Sequence, residues 1–185
     1  ENDHLGVKDT EDRDELTVRG KIRVEASDDL TVNVAALHVN NDNGYDAFSL
    51  DNNRHTLSDQ PGHDRHETTA LAVSTEYTGY DAFDLQTTFS LADSNLEYGY
   101  DEDWTFVGIH PDGYSSTDNY IRDRQTANAD IRLVSAPGAE IFNDSTQWVV
   151  GAYAYRQQVD LTRQYTYLAS DFTSEYEADR LALYG

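Results

Sequence analysis

The sequence predicts an all-β fold, an antiparallel up-and-down meander of about seven long strands that forms part of a transmembrane β-barrel. Three observations support this prediction. Side chains alternate between apolar and polar with a period of two, the alternating segments are about ten residues long, and the connections are short and long nearly by turns. We expect residues 1–185 to form a single partial barrel domain.

The first hairpin, residues 16–39, shows the alternation most clearly. One face of its first strand is apolar from Leu16 to Ala26, and the second strand repeats this with Leu30, Val32, Val34, Ala36 and His38. The turn residues Ser27, Asp28 and Asp29 separate the two strands. Strands of about ten residues exceed the usual five or six, and a tilted strand needs this length to cross the hydrocarbon layer of a bilayer.

Five further strands are predicted at about residues 66–77, 83–92, 125–135 and 147–159, and from about 174 onward. The strand 83–92 alternates almost as regularly as the first hairpin, whereas the faces of 147–159 remain unassigned. The best helical candidate, residues 175–184, lacks an N-cap pattern followed by an apolar stripe. We therefore interpret it as strand.

The connections carry further information about the kind of sheet. Residues 40–66 and 93–123 are long polar segments, whereas 27–29 and 78–81 are short. Outer-membrane barrels have short turns on the periplasmic side, long loops outside, and aromatic girdles near the strand ends. Four aromatic residues fit such girdles: Tyr77, Tyr80, Phe83 and Trp148.

Composition and motifs exclude several classes of function. The formal net charge is −22, from 35 acidic and 13 basic residues, which disfavours binding to nucleic acid. The same charge suits cationic ligands, divalent cations or high salt. Cysteine is absent, and so are the G-x-S-x-G, phosphate-loop and H-E-x-x-H motifs, so we expect no enzyme and no cofactor. His55, His63 and His66 are interpreted as loop histidines rather than metal ligands.

Several loop segments resemble those of TonB-dependent outer-membrane receptors. They are 27–30 (SDDL), 43–52 (NGYDAFSLDN), 97–104 (EYGYDEDW), 110–116 (HPDGYSS), 159–168 (VDLTRQYTYL) and 182–185 (ALYG). The resemblance implies a plugged barrel of about 22 strands in the bacterial outer membrane, which binds a scarce nutrient such as a siderophore and imports it. The partners it implies are outer-membrane lipid, the remainder of the barrel and plug, TonB acting through the plug, and the small nutrient.

We interpret the chain as a fragment of such a receptor. It starts at Glu1 without methionine, it contains no recognisable plug or TonB box, and it stops within an apparent strand at Gly185. Seven strands are too few to close a barrel of that size.

The loops supply the candidate ligand-binding residues, because their flat aromatic faces stand beside hydrogen-bond acceptors, as in ligand pockets. The candidates are Tyr45, Asp46, Tyr98, Tyr100, Asp101, Asp103 and Trp104. On the polar strand faces, Arg19, Lys21, Arg23 and Arg132 are expected to line an interior and to meet acids from other strands, such as Asp84 and Asp130.

Two alternatives remain open. A piece of barrel with unpaired edges could self-associate into a sheet or fibre, and an acidic secreted β-sandwich could serve as a binding module. One pentapeptide, GYDAF, occurs twice, at 44–48 and 79–83. We interpret this repeat as reuse of turn chemistry, because two copies are too few for a solenoid.

Overall fold

The computed structural model describes residues 1–167 and 170–185, without the side chain of Asp144. The strands are β1 (Glu15–Glu25), β2 (Leu30–Tyr45), β3 (Gly62–Tyr77), β4 (Phe83–Asp101), β5 (Thr117–Ser135), β6 (Val149–Tyr165) and β7 (Phe172–Tyr184). Each strand pairs antiparallel with the next in one sheet of order β1 to β7. The predicted all-β meander is confirmed. Leu168, the last residue of one receptor-like segment, lies outside the described residues.

Several strands are longer than the sequence predicted. The long loops 40–66 and 93–123 shrink to 46–61 and 102–116, because β2 to β5 continue into polar sequence. β6 likewise extends to Tyr165 instead of ending near 159, and the helical alternative at 175–184 lies within β7. The backbone ladder needs only paired N–H and C=O groups, so it continues where the side chains are no longer apolar.

The two ends of the sheet differ in their connections. Residues 26–29, 78–82 and 136–148 join strands at the turn end. The last of these contains a tight turn, Ile141–Asp144, in which Phe142 and Asn143 adopt left-handed backbone angles, with φ of 52° and 59°. The loop end carries residues 1–14, 46–61, 102–116 and the connection from β6 to β7. In the described part of the chain, no helix is long and apolar enough to cross a bilayer.

Regular pairing gives the sheet an apolar face and a polar face. One row of mutually paired residues crosses the apolar face through all seven strands: Ile22, Val34, Val73, Phe89, Ala129, Ala154 and Leu181. The adjacent row crosses the polar face: Arg23, Asn33, Ser74, Thr88, Asp130, Tyr153 and Ala182. Successive side chains leave opposite faces of a strand, so the register fixes both surfaces.

Within the described residues, no second layer covers the apolar face. Among the described residues, Ala136 is the only buried hydrophobic residue. Leu91 is 62% exposed, Ile22 64% and Leu181 86%. A contiguous apolar surface of this kind marks a place where another apolar phase or molecule belongs.

Charged residues limit the apolar face on the side toward the loop end. On the apolar face, the first charged residue toward the loop end of β2 to β7 is, in strand order, Asp42, Glu67, Asp93, Asp123, Arg156 and Asp179. On β7, Asp179 lies in the same row of paired residues as Ala36 of β2, which is six residues nearer the turn end than Asp42. The boundary of this apolar band therefore runs obliquely across the strands.

Candidate functional site

The connections at the loop end interlock. Backbone bridges join Asn2 to Val7 and to Thr56, which ties the N-terminal segment to loop 46–61. His4 stacks on Phe106 of loop 102–116, with ring centroids 4.0 Å apart. Buried polar residues therefore accumulate here: Asn2, Asp46, Thr56, Ser58, Asp101, Thr105, Ser116 and Asp118.

Asp46 joins the N-terminal segment to loop 46–61. Its Oδ2 accepts hydrogen bonds from Asn2 Nδ2 at 2.9 Å and from the hydroxyls of Thr10 and Thr56, each at 2.7 Å. The residue is 6% exposed. Hydrogen bonds to a charged acceptor are stronger than neutral ones, so this carboxylate fixes the N-terminal segment against loop 46–61.

Asp103 and Asp101 also organise the loops. Asp103 Oδ1 accepts from the backbone N–H of Thr105 at 3.1 Å and its hydroxyl at 2.8 Å, while Oδ2 accepts from the N–H of Ser116 at 2.8 Å. Asp101 Oδ2 accepts from the N–H of Asp59 at 3.1 Å. Its Oδ1 is buried without a hydrogen bond of good geometry to any described residue. Burial, helped by the nearby charges of Asp103 and Asp59, raises the pKa of Asp101 to about 6.

The aromatic candidates meet on the polar face of β4, just below the loops. Phe48 stacks parallel to Trp104 with centroids 5.0 Å apart, and Tyr45 lies edge-on to Tyr98, also at 5.0 Å. These rings border an open cavity of about 550 Å³. We call Tyr45 and the residues that line this cavity the aromatic surface; the lining residues are Phe48, Tyr98, Tyr100, Glu102, Trp104, Tyr120 and Arg122.

An ion pair beneath the aromatic surface positions two of its tyrosines. Asp118 accepts from Arg163 Nε at 2.8 Å and Nη2 at 2.7 Å, and from the hydroxyls of Tyr100 and Tyr120 at 3.2 Å each. Burial alone would raise the pKa of Asp118, but the hydrogen bonds and charge of Arg163 outweigh burial and lower it. Burial and Asp118 raise the pKa of Tyr100 to about 12, so its hydroxyl stays neutral and available for hydrogen bonding.

The sequence candidates therefore divide into two groups. Tyr45, Tyr98, Tyr100 and Trp104 come together in one surface, whereas the three aspartates hold the loops that frame it. Sequence reasoning missed four members of this surface: Phe48, Glu102, Tyr120 and Arg122. Tyr120 and Arg122 left no signal in the period of two, because the start of β5 carries polar residues on both faces.

The basic strand residues fulfil their prediction only in part. Arg132 contacts Asp130 at 2.8 Å, but both residues lie on β5, whereas the prediction placed the acids on other strands. Lys21 and its neighbours on β1 do not reach Asp84 or Asp130, because β1 is an edge strand and β4 and β5 lie three and four positions away in the sheet. The contact of Arg23 is instead with Glu25, at 3.6 Å.

The histidines interpreted as loop residues do not share a loop: His55 lies in loop 46–61, whereas His63 and His66 lie within β3, because β3 already begins at Gly62. His55 contacts Asp3 at 3.0 Å, His63 contacts Glu97 at 2.9 Å, and His66 contacts Thr68 at 2.6 Å. In register, His63 belongs to the apolar side of β3 and His66 to the polar side. Within residues 1–167 and 170–185, no three acidic or histidine side chains converge in the manner of a metal site.

Comparisons with known proteins place this chain in no group. No protein-family model, no curated protein and no solved structure matches it.

Proposed function

We propose that the chain forms part of the wall of a bacterial outer-membrane β-barrel of the TonB-dependent receptor type. The complete receptor binds a scarce nutrient such as a siderophore at the loop end and imports it. The observation that carries the membrane part of this proposal is the apolar band with its oblique, charged boundary.

The slope of that boundary gives a strand tilt. The boundary moves six residues along the strands between β2 and β7, from the level of Asp42 to that of Ala36. This is about 20 Å along the strands over about 24 Å of sheet width. If the boundary is parallel to a membrane surface, the strands tilt by about 40°, which agrees with the roughly 35–45° of outer-membrane barrels.

The height of the apolar band agrees with the same interpretation. On β4 the band runs from Phe83 to Leu91, and Asp93 ends it. This length is about 25–30 Å along the strand, or about 20–25 Å along the membrane normal at that tilt. Outer-membrane barrels carry an apolar band of about 25 Å. An aqueous β-sandwich would instead need a second sheet over this face, because its stability depends on burying it.

The other surfaces fit the same assignment. The polar face would turn toward the barrel interior, and β1 and β7 would join the remainder of the barrel around the plug. The turn end would face the periplasm, where TonB acts through the plug. The TonB-dependent class itself rests on the resemblance of the loop segments.

The aromatic surface indicates which chemical class of nutrient would bind. It offers ring faces, neutral tyrosine hydroxyls, and the charges of Arg122 and Glu102. The chain around it carries a net charge of −22, which repels polyanions. We therefore assign it a neutral or cationic ligand with flat or apolar faces.

Depth-dependent quenching tests the membrane assignment. In a chain carrying Trp104→Phe and Trp148→Phe, the reporter Phe89→Trp lies on the apolar face and the reporter Thr88→Trp on the polar face. Each chain is reconstituted into phosphatidylcholine vesicles with brominated or ordinary acyl chains. Brominated chains should quench the fluorescence of Trp at 89 several-fold more than that of Trp at 88.

Equal quenching of the two reporters, or no association with vesicles, would contradict the proposal. A soluble folded monomer without lipid would favour the secreted module. Large detergent-resistant assemblies with both reporters shielded from lipid would favour the self-associating sheet, whose two edges and bare apolar face are present here.

Iron chelates of different charge test the ligand assignment. With Trp148→Phe, Trp104 is the remaining tryptophan and reports on the aromatic surface. A neutral ferric trihydroxamate should quench Trp104 saturably, and the trianionic ferric tricatecholate should not. The variant Tyr98→Ala should weaken the response, whereas Tyr80→Ala at the turn end serves as control. If neither chelate gives saturable quenching, the siderophore assignment fails.

A further inference from the structure

The outer edge of β1 is built for a neighbour of particular chemistry. We propose that this edge accepts, by β-strand addition, a strand in which carboxylate side chains alternate with apolar ones. The inference rests on the proposed function only in assuming that lipid covers the apolar side of β1. The charge pairing stands on the residues of β1 alone.

Backbone pairing is the first requirement for strand addition. β1 pairs with β2 from Glu15 to Glu25, and among the described residues its other edge pairs with nothing. Such an edge presents a row of unsatisfied N–H and C=O groups, which a further strand can satisfy.

The polar side of β1 specifies the charge of the neighbour. Arg19, Lys21 and Arg23 occupy successive polar positions, and all three are exposed. Their partners on β2 are Leu37, Ala35 and Asn33, which carry no charge. The chain contains 35 acidic residues, yet within its described parts only Glu25 lies within ion-pair distance of this row. Cross-strand pairs of opposite charge stabilise a sheet, so carboxylates on the neighbour complete the row.

The apolar side of β1 specifies the alternate positions of the neighbour. Val18, Ile22 and Val24 are 55%, 64% and 46% exposed on the apolar face. Residues that pair with them share that face, so they must be apolar for the band to continue. The two requirements together define one alternating pattern.

A second copy of this chain does not supply that pattern. Two β1 edges joined antiparallel would place the basic rows opposite each other, which is unfavourable. If β7 of another copy joined β1 with matching faces, its polar face would offer Ser174, Tyr176, Ala178 and Arg180. The acids Glu175, Glu177 and Asp179 would lie on the apolar side. The neighbour is therefore a different strand.

Binding of a peptide with only one edge free for strand pairing tests the proposal, with the full chain held in detergent micelles. The probe is a dye-labelled peptide of about eleven residues that alternates Glu and Val. It is N-methylated at alternate residues, which blocks one edge so that it cannot grow into a sheet with itself, and it is used at a concentration at which it is monomeric. Fluorescence anisotropy should show binding at least about tenfold tighter to the native chain than to the variant Arg19→Glu, Lys21→Glu, Arg23→Glu. About 1 M NaCl should weaken the native complex.

Two controls isolate the charge row. The variant Lys8→Glu, Arg13→Glu, Arg54→Glu makes the same change in net charge at exposed loop-end positions and should bind the acidic peptide like the native chain. A Lys–Val peptide should bind the β1 variant and not the native chain. The single variant Lys21→Glu, expected to have an intermediate effect, guards against loss of folding in the triple variant, and circular dichroism checks that the strands remain.

Equal binding of the acidic peptide to the native chain and to the β1 variant would overturn the proposal, as would equal binding of the two peptides to the native chain. The lipid-quenching experiment is independent of this result. If lipid does not reach position 89 but the charge exchange holds, the edge proposal stands and the membrane proposal fails.

Discussion

The apolar band and the loop end belong to the same sheet and follow opposite rules. In the band, large hydrophobic side chains such as Leu91 and Leu181 are exposed, whereas at the loop end Asn2, Asp46 and Asp118 are buried. Hydrogen bonds and ion pairs organise the loop end, whereas no described segment of the chain covers the band. The stability of the band must therefore come from its surroundings, and that of the loop end from contacts within the chain.

The largest expected effect separates the two faces within the band. Phe89→Arg places a charge on the apolar face, whereas Thr88→Arg places the same charge on the polar face opposite Asp130. In phospholipid vesicles, Phe89→Arg should lower the free energy of unfolding by about 2–4 kcal/mol. Thr88→Arg should change it by less than about 1 kcal/mol. Urea unfolding followed by tryptophan fluorescence measures both, and similar losses would remove the distinction between the faces.

A somewhat smaller effect is expected where the loop end depends on one carboxylate. Asp46→Ala removes the acceptor of three hydrogen bonds and should destabilise the N-terminal segment locally by about 2–3 kcal/mol. Trypsin should then cleave after Lys8 and Arg13 about ten or more times faster. Asp51→Ala, at an exposed position in the same loop, is the control. Unchanged cleavage in Asp46→Ala would mean that other contacts hold the segment.

The third prediction concerns the pH dependence of the loop end. Burial raises the pKa of Asp101 from 3.8 to about 6, so the folded loops hold its proton more tightly than the unfolded chain does. Its contribution is most favourable below about pH 4, declines as the pH rises through about 4 to 6, and levels off above that. Between these limits, the ionisation of Asp101 lowers the free energy of unfolding by about 2–3 kcal/mol in total.

Asp101→Asn keeps the shape of the side chain and removes this dependence. Relative to the native chain, the variant should gain stability between pH 4 and pH 7.5. Asp112→Asn, at a carboxylate whose side chain is 94% exposed, controls for the loss of one negative charge. If the free energy of unfolding depends on pH in the same way for the native chain and Asp101→Asn, Asp101 ionises in the folded loops without loss of stability.

The period of two predicted the strands where one face is apolar and failed where it is not. The hairpin 16–39 and the strand 83–92 were recognised because aliphatic residues alternate there with polar ones. The sequence predicts a loop for the outer part of β5, from Thr117 to Asp123, because both of its faces carry polar residues. Pairing with β4 makes it a strand, and that pairing depends on residues distant in the chain.

Residue type alone identified the candidate site, but it did not show which residues form the aromatic surface and which hold the loops. Aromatic residues in loop sequences pointed to Tyr45, Tyr98, Tyr100 and Trp104, which the structure brings together. The same reasoning grouped the aspartates with them, since sequence cannot distinguish a carboxylate facing a ligand from one that accepts Thr and Asn hydrogen bonds inside a loop layer. The Asp118–Arg163 pair joins positions 45 residues apart and left no local signal.

By itself, the sequence determined the fold class, the two faces of the first five strands and the charge of the chain, because a strand's alternation is a local property. The tertiary structure alone decided which polar residues are buried, and the repeated pentapeptide GYDAF shows why. Asp46 in the first copy is buried beneath the loops, and Asp81 in the second is exposed in the turn between β3 and β4. The same five residues lie at opposite ends of the sheet, and only the segments that fold over the first copy supply hydrogen-bond donors to its carboxylate.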